Sequence, residues 1–212
     1  LVVSCSKKED LELNIPPDRD QSFEIYKEAV ERMQVGDFFY ASKKFSEAEA
    51  ILPQIEFASR AALMSSYCLY LINFYPEANA GLKRFISQYP ADKHITYAHY
   101  LLTIIMYEQI LDEKKDIKPL IATKEKINFY LETYPDTEYA LDLRFKLGLV
   151  NNQLAAKEMY IAKYYITIQK WIPAINRLKV IVNDYAETVY IEEALHRLVE
   201  VYYRVGLTEE AK

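Results

Sequence analysis

A chain of 212 residues can bury a sizeable core as one elongated domain or two small ones. Its 4 glycines are too few for a turn-rich β-protein or a glycine-loop nucleotide binder, while 51% hydrophobic residues, 27% charge and 19 tyrosines describe a folded, aromatic-rich, mostly helical chain. The net charge of -5 and the lack of a basic face argue against nucleic acid, and no apolar run reaches the roughly 18 residues of a membrane-crossing helix.

The chain opens on LVVSC, followed at once by the polar SKKED. A short apolar run, a small residue and a cysteine before a polar stretch resemble a bacterial lipobox at the tail of a signal peptide. On that reading Cys5 is the mature N-terminus and carries lipid, and several acyl chains on one residue make a stable membrane anchor. Ser6, rather than an aspartate, after the cysteine favours outer-membrane sorting by the usual lipoprotein rule. Residues 6–21 are mostly polar and contain Pro16 and Pro17, so an extended tether is expected there. Cys68, the other cysteine, sits in an apolar helical run and reads as a buried thiol rather than half of a disulfide.

Beyond the tether the sequence repeats. GDFFYA at 36–41 places a glycine five positions before an alanine, and 73–78, 117–122, 169–174 and 206–211 occupy equivalent places. The alanines Ala41, Ala78, Ala122, Ala174 and Ala211 are 37, 44, 52 and 37 residues apart. Pro53 and Pro90 each follow their alanine by 12 residues; Pro135 follows Ala122 by 13, and in the fourth unit Ala186 stands where the proline would be. A turn between two helices, a small residue where they cross and a proline ending the second helix account for this pattern. Each helix pair leaves an apolar face that the next covers, so the pairs stack. The third unit carries a charged insertion around 111–119, and the fourth has a lengthened first helix.

That lengthened helix is expected over residues 137–169, roughly 50 Å at about 1.5 Å per residue. Leu147, Val150, Leu154, Ile161, Tyr165 and Ile168 recur at helical spacing along it, with Glu158 the one polar member of the series.

The unit resembles the tetratricopeptide repeat, whose period is about 34 residues. The expected fold is therefore all-α: an α-solenoid of about five helix pairs, with a long first helix in the fourth repeat. The organisation follows as lipobox 1–5, tether 6–21, repeats one to three over 22–134 and repeats four and five over 135–212.

The lipobox cysteine, the Pro-Pro tether, the Tyr-Pro repeat ends and the long fourth-repeat helix together resemble the YfiO family of outer-membrane β-barrel assembly lipoproteins. The likeness is closest in NQLAAKEMYIAKYY at 152–165 and WIPAINR at 171–177, where that family carries a similar arginine/leucine/alanine run, a glutamate, a Tyr-Tyr pair and an Asn-Arg in the same order. Gln169-Lys170 departs from it by replacing a glycine before the fourth turn, and the third-repeat insertion is short.

The resemblance implies a non-enzymatic scaffold on the periplasmic face of the outer membrane. Such a scaffold holds the barrel insertase BamA through its POTRA domains, works beside accessory lipoproteins of the BAM complex and contacts unfolded barrel proteins. It assigns the BamA contact to the C-terminal repeats, with Arg177 matching a family arginine and Asn176 and Trp171 on the same turn. A guanidinium suits a carboxylate or carbonyl cluster on a partner, although an internal salt bridge would use it equally well. On the substrate side, the first helices of the early repeats offer Phe23, Tyr26, Tyr67, Tyr70, Tyr97, Tyr100 and Tyr107. As a groove lining they suit an extended peptide ending in an aromatic residue; packing between helices is the competing reading.

No metal-ligand spacing involves His94, His99 or His196, and no glycine-rich phosphate loop exists, so neither cofactor nor catalysis is expected. Repeats alone do not name a partner. A different periplasmic repeat adaptor, for instance in envelope or division coordination, and a cytosolic peptide scaffold fit the repeats as well.

Overall fold

The computed structural model describes residues 21–110 and 117–211. The expected lipobox with Cys5, the tether up to residue 20 and residues 111–116 of the third-repeat insertion lie outside them. Among the described residues there are nine helices and no strand: α1 (Gln21–Gln34), α2 (Phe38–Ile51), α3 (Ile55–Leu71), α4 (Tyr75–Gln88), α5 (Ile95–Glu108), α6 (Lys118–Thr133), α7 (Glu138–Thr167), α8 (Trp171–Asp184) and α9 (Ile191–Val205). The fold class is all-α, built from consecutive helix pairs as the repeat predicts.

The repeat is visible bond by bond. Gly36, Asn73, Gln169 and Gly206 all take left-handed φ values, of 83°, 61°, 57° and 82°. The amide after each reaches back five residues, Asp37 to Arg32, Phe74 to Leu69, Lys170 to Tyr165 and Leu207 to Tyr202, at 2.8–2.9 Å. These bonds close the last turn of the first helix in the same Schellman arrangement four times. The second helices end alike too: the amides of Leu52, Tyr89, Tyr134 and Tyr185 bond the carbonyls of Ala48, Phe85, Tyr130 and Ile181.

The third repeat departs from the expected register. Buried positions run Ala41, Phe45, Ala48 in α2, Ala78, Leu82, Phe85 in α4 and Ala174, Leu178, Ile181 in α8. In α6 the same spacing is met by Thr123, Ile127 and Tyr130, whereas Ala122 is exposed. Thr123 is therefore the equivalent of the turn alanine, and Pro135 follows it by the same 12 residues as elsewhere. The cause is the helix start: α6 has 16 residues against 14 in α2, α4 and α8, so counting from the turn misplaces its inner face by one. Ile117, expected as an equivalent turn residue, caps α6 in a right-handed conformation.

The chain divides into two compact units, residues 1–102 and 103–212, with the division falling within α5. In the first, α1 packs on α2, α2 on α3 and α3 on α4. Their core joins Tyr26 and Val30 to Phe45 and to Ala61, Met64 and Cys68. Small residues bring helices close: Ser65 Oγ donates to the Ser42 carbonyl at 3.0 Å across the α2–α3 contact. At the α4–α5 turn Asp92 accepts from the Ser59 hydroxyl at 2.5 Å and from the His94 amide at 2.8 Å. Burial alone would raise the Asp92 pKa, but these donors and the His94 ring outweigh it and hold the carboxyl below its usual range.

In the second unit α6 packs on α7, α7 on α8 and α8 on α9. Helix α7 has 30 residues, about 45 Å, with Thr137 and Ile168 as its caps. Of the expected apolar series Val150 and Leu154 are buried, Leu147, Ile161 and Tyr165 are half-buried and Ile168 is exposed. The buried stripe instead shifts by one residue, about 100° around the axis, from Val150 and Leu154 to Ala155, Met159 and Ala162. That second stripe packs into one core with Leu178 and Ile181 of α8 and Ala194 and Leu198 of α9. One straight stripe cannot serve both ends of a helix that meets one neighbour early and others late.

Candidate functional site

Two surfaces carry exposed chemistry, one in each unit. In the first unit helical spacing puts Tyr67 and Tyr70 on one face of α3 and Tyr97 and Tyr100 on one face of α5. Their rings form a continuous row: Tyr75 to Tyr70 at 6.3 Å, Tyr70 to Tyr67 at 6.2 Å, Tyr67 to Tyr97 at 6.4 Å and Tyr97 to Tyr100 at 6.2 Å between centroids. All five are half-buried. Each thus offers part of an aromatic face from a packed base. Tyr75, the first ring of the row, is not on a first helix. It begins α4, with its hydroxyl donating to Asn73 Oδ1 at 3.0 Å, and its place two residues after Asn73, the turn residue equivalent to Gly36, is the sequence signal that locates it.

Phe23 and Tyr26 do not belong to this surface. They are 3% and 0% exposed, and each meets a core ring edge-on, Phe23 against Phe57 and Tyr26 against Phe45, both at 5.4 Å. The first helix of the first repeat turns these positions into its own hairpin and the next, which makes them core. Burial raises the Tyr26 phenol pKa, against the opposing pull of the nearly buried Arg60. Tyr107, half-buried, lies in the second unit with Lys146 Nζ 5.5 Å from its ring centre.

In the second unit Asn176 and Arg177 line a surface pocket of about 260 Å³ together with Tyr165, Ile172, Pro173 and Val180. The walls are apolar, with one amide and one guanidinium among them. Beside it Tyr164 packs on Tyr165 at 5.8 Å, and Tyr160, Tyr164, Ile168 and Ile172 are 71%, 58%, 43% and 61% exposed. Exposed apolar side chains grouped in this way make the patch a candidate interaction surface.

Arg177 is not a free cation. Its Nη1 donates to both carboxylate oxygens of Glu158, at 3.1 and 3.2 Å. Glu158 is the polar residue that interrupts the apolar series of α7, and this ion pair is why it stands there. Its place in that series was the available signal, but nothing local identified the arginine it faces. Trp171 does not line the pocket; it packs against the core of α7, α8 and α9, and the Arg204 guanidinium lies 5.6 Å over its ring.

The described residues include no cluster of histidine, cysteine and carboxylate side chains able to hold a metal ion. His94 Nδ1 lies 3.1 Å from Asp92 Oδ1 in the α4–α5 turn. The Cys68 thiol is buried and pushed up to about 12 by that burial, the opposite of an activated nucleophile.

Comparison with known proteins gives one family. The family model described as YfiO, outer membrane lipoprotein, matches residues 18–212. Among similar proteins, an outer membrane protein assembly factor BamD of Caulobacter vibrioides is 38% identical over 188 residues, 89% of this chain and 62% of its own length. The protein of the same name in Rickettsia prowazekii is 35% identical over 89% of this chain and 75% of its own length. That of Vibrio cholerae is 24% identical over 99% of this chain. The chain thus spans less than two thirds of the Caulobacter relative.

Proposed function

Because the chain belongs to the YfiO family of outer-membrane lipoproteins, we propose that it is a scaffold of outer-membrane protein assembly. It holds a BamA-like barrel insertase through that protein's periplasmic POTRA domains and receives unfolded barrel proteins. Accessory lipoproteins of the same complex are further partners. A lipid on Cys5 anchors the chain to the periplasmic face of the outer membrane. It acts by binding and performs no chemistry of its own.

The observation that carries this reading is the pocket around Arg177. An apolar concavity rimmed by an amide and a guanidinium, with exposed Tyr164, Ile168 and Ile172 beside it, has the anatomy of a protein interface: an apolar centre with a few oriented polar groups. Arginine and tyrosine are also the residues on which binding energy concentrates. The row from Tyr75 to Tyr100 supports the substrate role. Five neighbouring rings offer an extended chain a continuous aromatic and apolar strip.

The test is a pull-down from native membranes with tagged full-length protein, wild type against Arg177→Ala. Recovery of a BamA-like barrel protein with wild type and its loss from the variant are expected. Equal recovery by both would keep the assembly role and remove Arg177 as its anchor. No barrel protein with wild type would end the assembly reading.

A further inference from the structure

We propose that Glu158 is a positioning residue for the Arg177 surface, an inference that rests on the docking role of the pocket given above. The Glu158 side chain is 12% exposed and that of Arg177 43%, so the pair runs from the interior of the α7–α8 contact out to the surface. Both Glu158 oxygens are engaged by one nitrogen, Nη1. The Nε and Nη2 edge of the same guanidinium makes no hydrogen bond to any described residue. That edge is the side-on fork that takes a planar carboxylate with two parallel bonds.

An arginine on a helix surface samples many rotamers, and ordering it opposes binding. Glu158 removes that freedom before a partner arrives. From the preceding helix, α7, it holds Nη1 and leaves Nε and Nη2 for a partner, on a side chain that lines the pocket with Tyr165, Ile172, Pro173 and Val180. The partner that fits is a protein segment with an aliphatic or aromatic side chain for the pocket and a carboxylate next to it. The sequence bears the same mark: an acid interrupts an otherwise apolar helical face, 19 residues before the arginine it holds.

The experiment measures the affinity of the full chain for the soluble POTRA domains of its barrel partner, with thermal unfolding recorded for each variant. Glu158→Gln keeps the shape and removes the charge. It is expected to weaken binding roughly 3- to 10-fold, the scale of freeing one long side chain. The same substitution made in an Arg177→Ala background is expected to change nothing further, because Glu158 acts only through Arg177. Glu158→Asp, which keeps the charge on a shorter arm, is expected to lose less than Glu158→Gln. If Glu158→Gln binds like wild type, or costs the same factor with and without Arg177, the positioning role is wrong. The exchanged pair Glu158→Arg with Arg177→Glu restores an ion pair between the helices with the wrong group outermost. It should unfold at the wild-type temperature and fail to bind; wild-type affinity in that variant would make the pair purely structural. Absence of binding by the wild type would instead overturn the docking role itself.

Discussion

Single residues in this chain are constrained by how closely its helices approach. Gly81 sits on α4 against α3, and a Cβ built there would overlap Ser66 Oγ and stand 3.3 Å from Ser66 Cβ. Alanine is the better helix former by about 1 kcal/mol, yet the overlap wins. Gly81→Ala is expected to lower stability by about 1–3 kcal/mol in urea unfolding. That cost should shrink in a Ser66→Ala background, and a stabilised Gly81→Ala protein would show that the contact is slack. Cys68 makes a pH prediction of the same local kind. Burial raises its thiol from 9.0 to about 12, so the folded state keeps a proton that the unfolded state loses first. Its contribution to stability is complete below pH 9 and falls as pH rises toward 12. Unfolding midpoints measured across that window should decline less steeply for Cys68→Ala than for wild type. Tyr26 and Tyr130, whose pKa values burial also raises, leave part of the decline in both proteins.

At the scale of elements, four first helices end in one hydrogen-bond pattern although glycine supplies the left-handed residue in only two of them. Asn73 adopts φ 61° readily because its short polar side chain tolerates that region; Gln169, at φ 57°, does so against the sterics of its Cβ. The bonds from Lys170 to Tyr165 and from Gln169 to Ile166, at 2.8 and 3.0 Å, hold it there, and the junction of α7 with α8 depends on them. Gln169→Gly is therefore expected to stabilise the protein by about 0.5–1 kcal/mol, and Asn73→Gly by less, as read from thermal unfolding. Destabilisation by Gln169→Gly would show that the glutamine side chain contributes more than its backbone strain removes. The register of α6 belongs to this scale as well. Thr123 rather than Ala122 faces inward because two extra residues open that helix, and the inner face, not the turn, fixes where a repeat begins.

For the whole molecule, the tyrosine row belongs to the first unit and the Arg177 pocket to the second, so the two candidate surfaces differ in chemistry: one is a row of rings, the other an apolar concavity with an amide and a guanidinium. No described helix is long and apolar enough to cross a membrane, and the proposed attachment is the lipid on Cys5. Full-length protein expressed with labelled palmitate is expected to take up label, and Cys5→Ser to take up none. Label retained by Cys5→Ser would place the lipid elsewhere or end the anchor reading.

The all-α class, the helix pairs and the long α7 were legible in the sequence because they follow from local physics: helical spacing of apolar residues, turn residues and prolines at helix ends. The family was legible because NQLAAKEMYIAKYY and WIPAINR keep their order and spacing. What only tertiary structure decided were the choices between two faces of one helix. Phe23 and Tyr26 share the spacing of Tyr67 and Tyr70, yet one pair is core and the other borders solvent, because α1 and α3 have different neighbours. Spacing places a side chain on a face but does not say what covers it. For the same reason Glu158 read as an interruption until Arg177, 19 residues away on another helix, was brought to within hydrogen-bond distance of it.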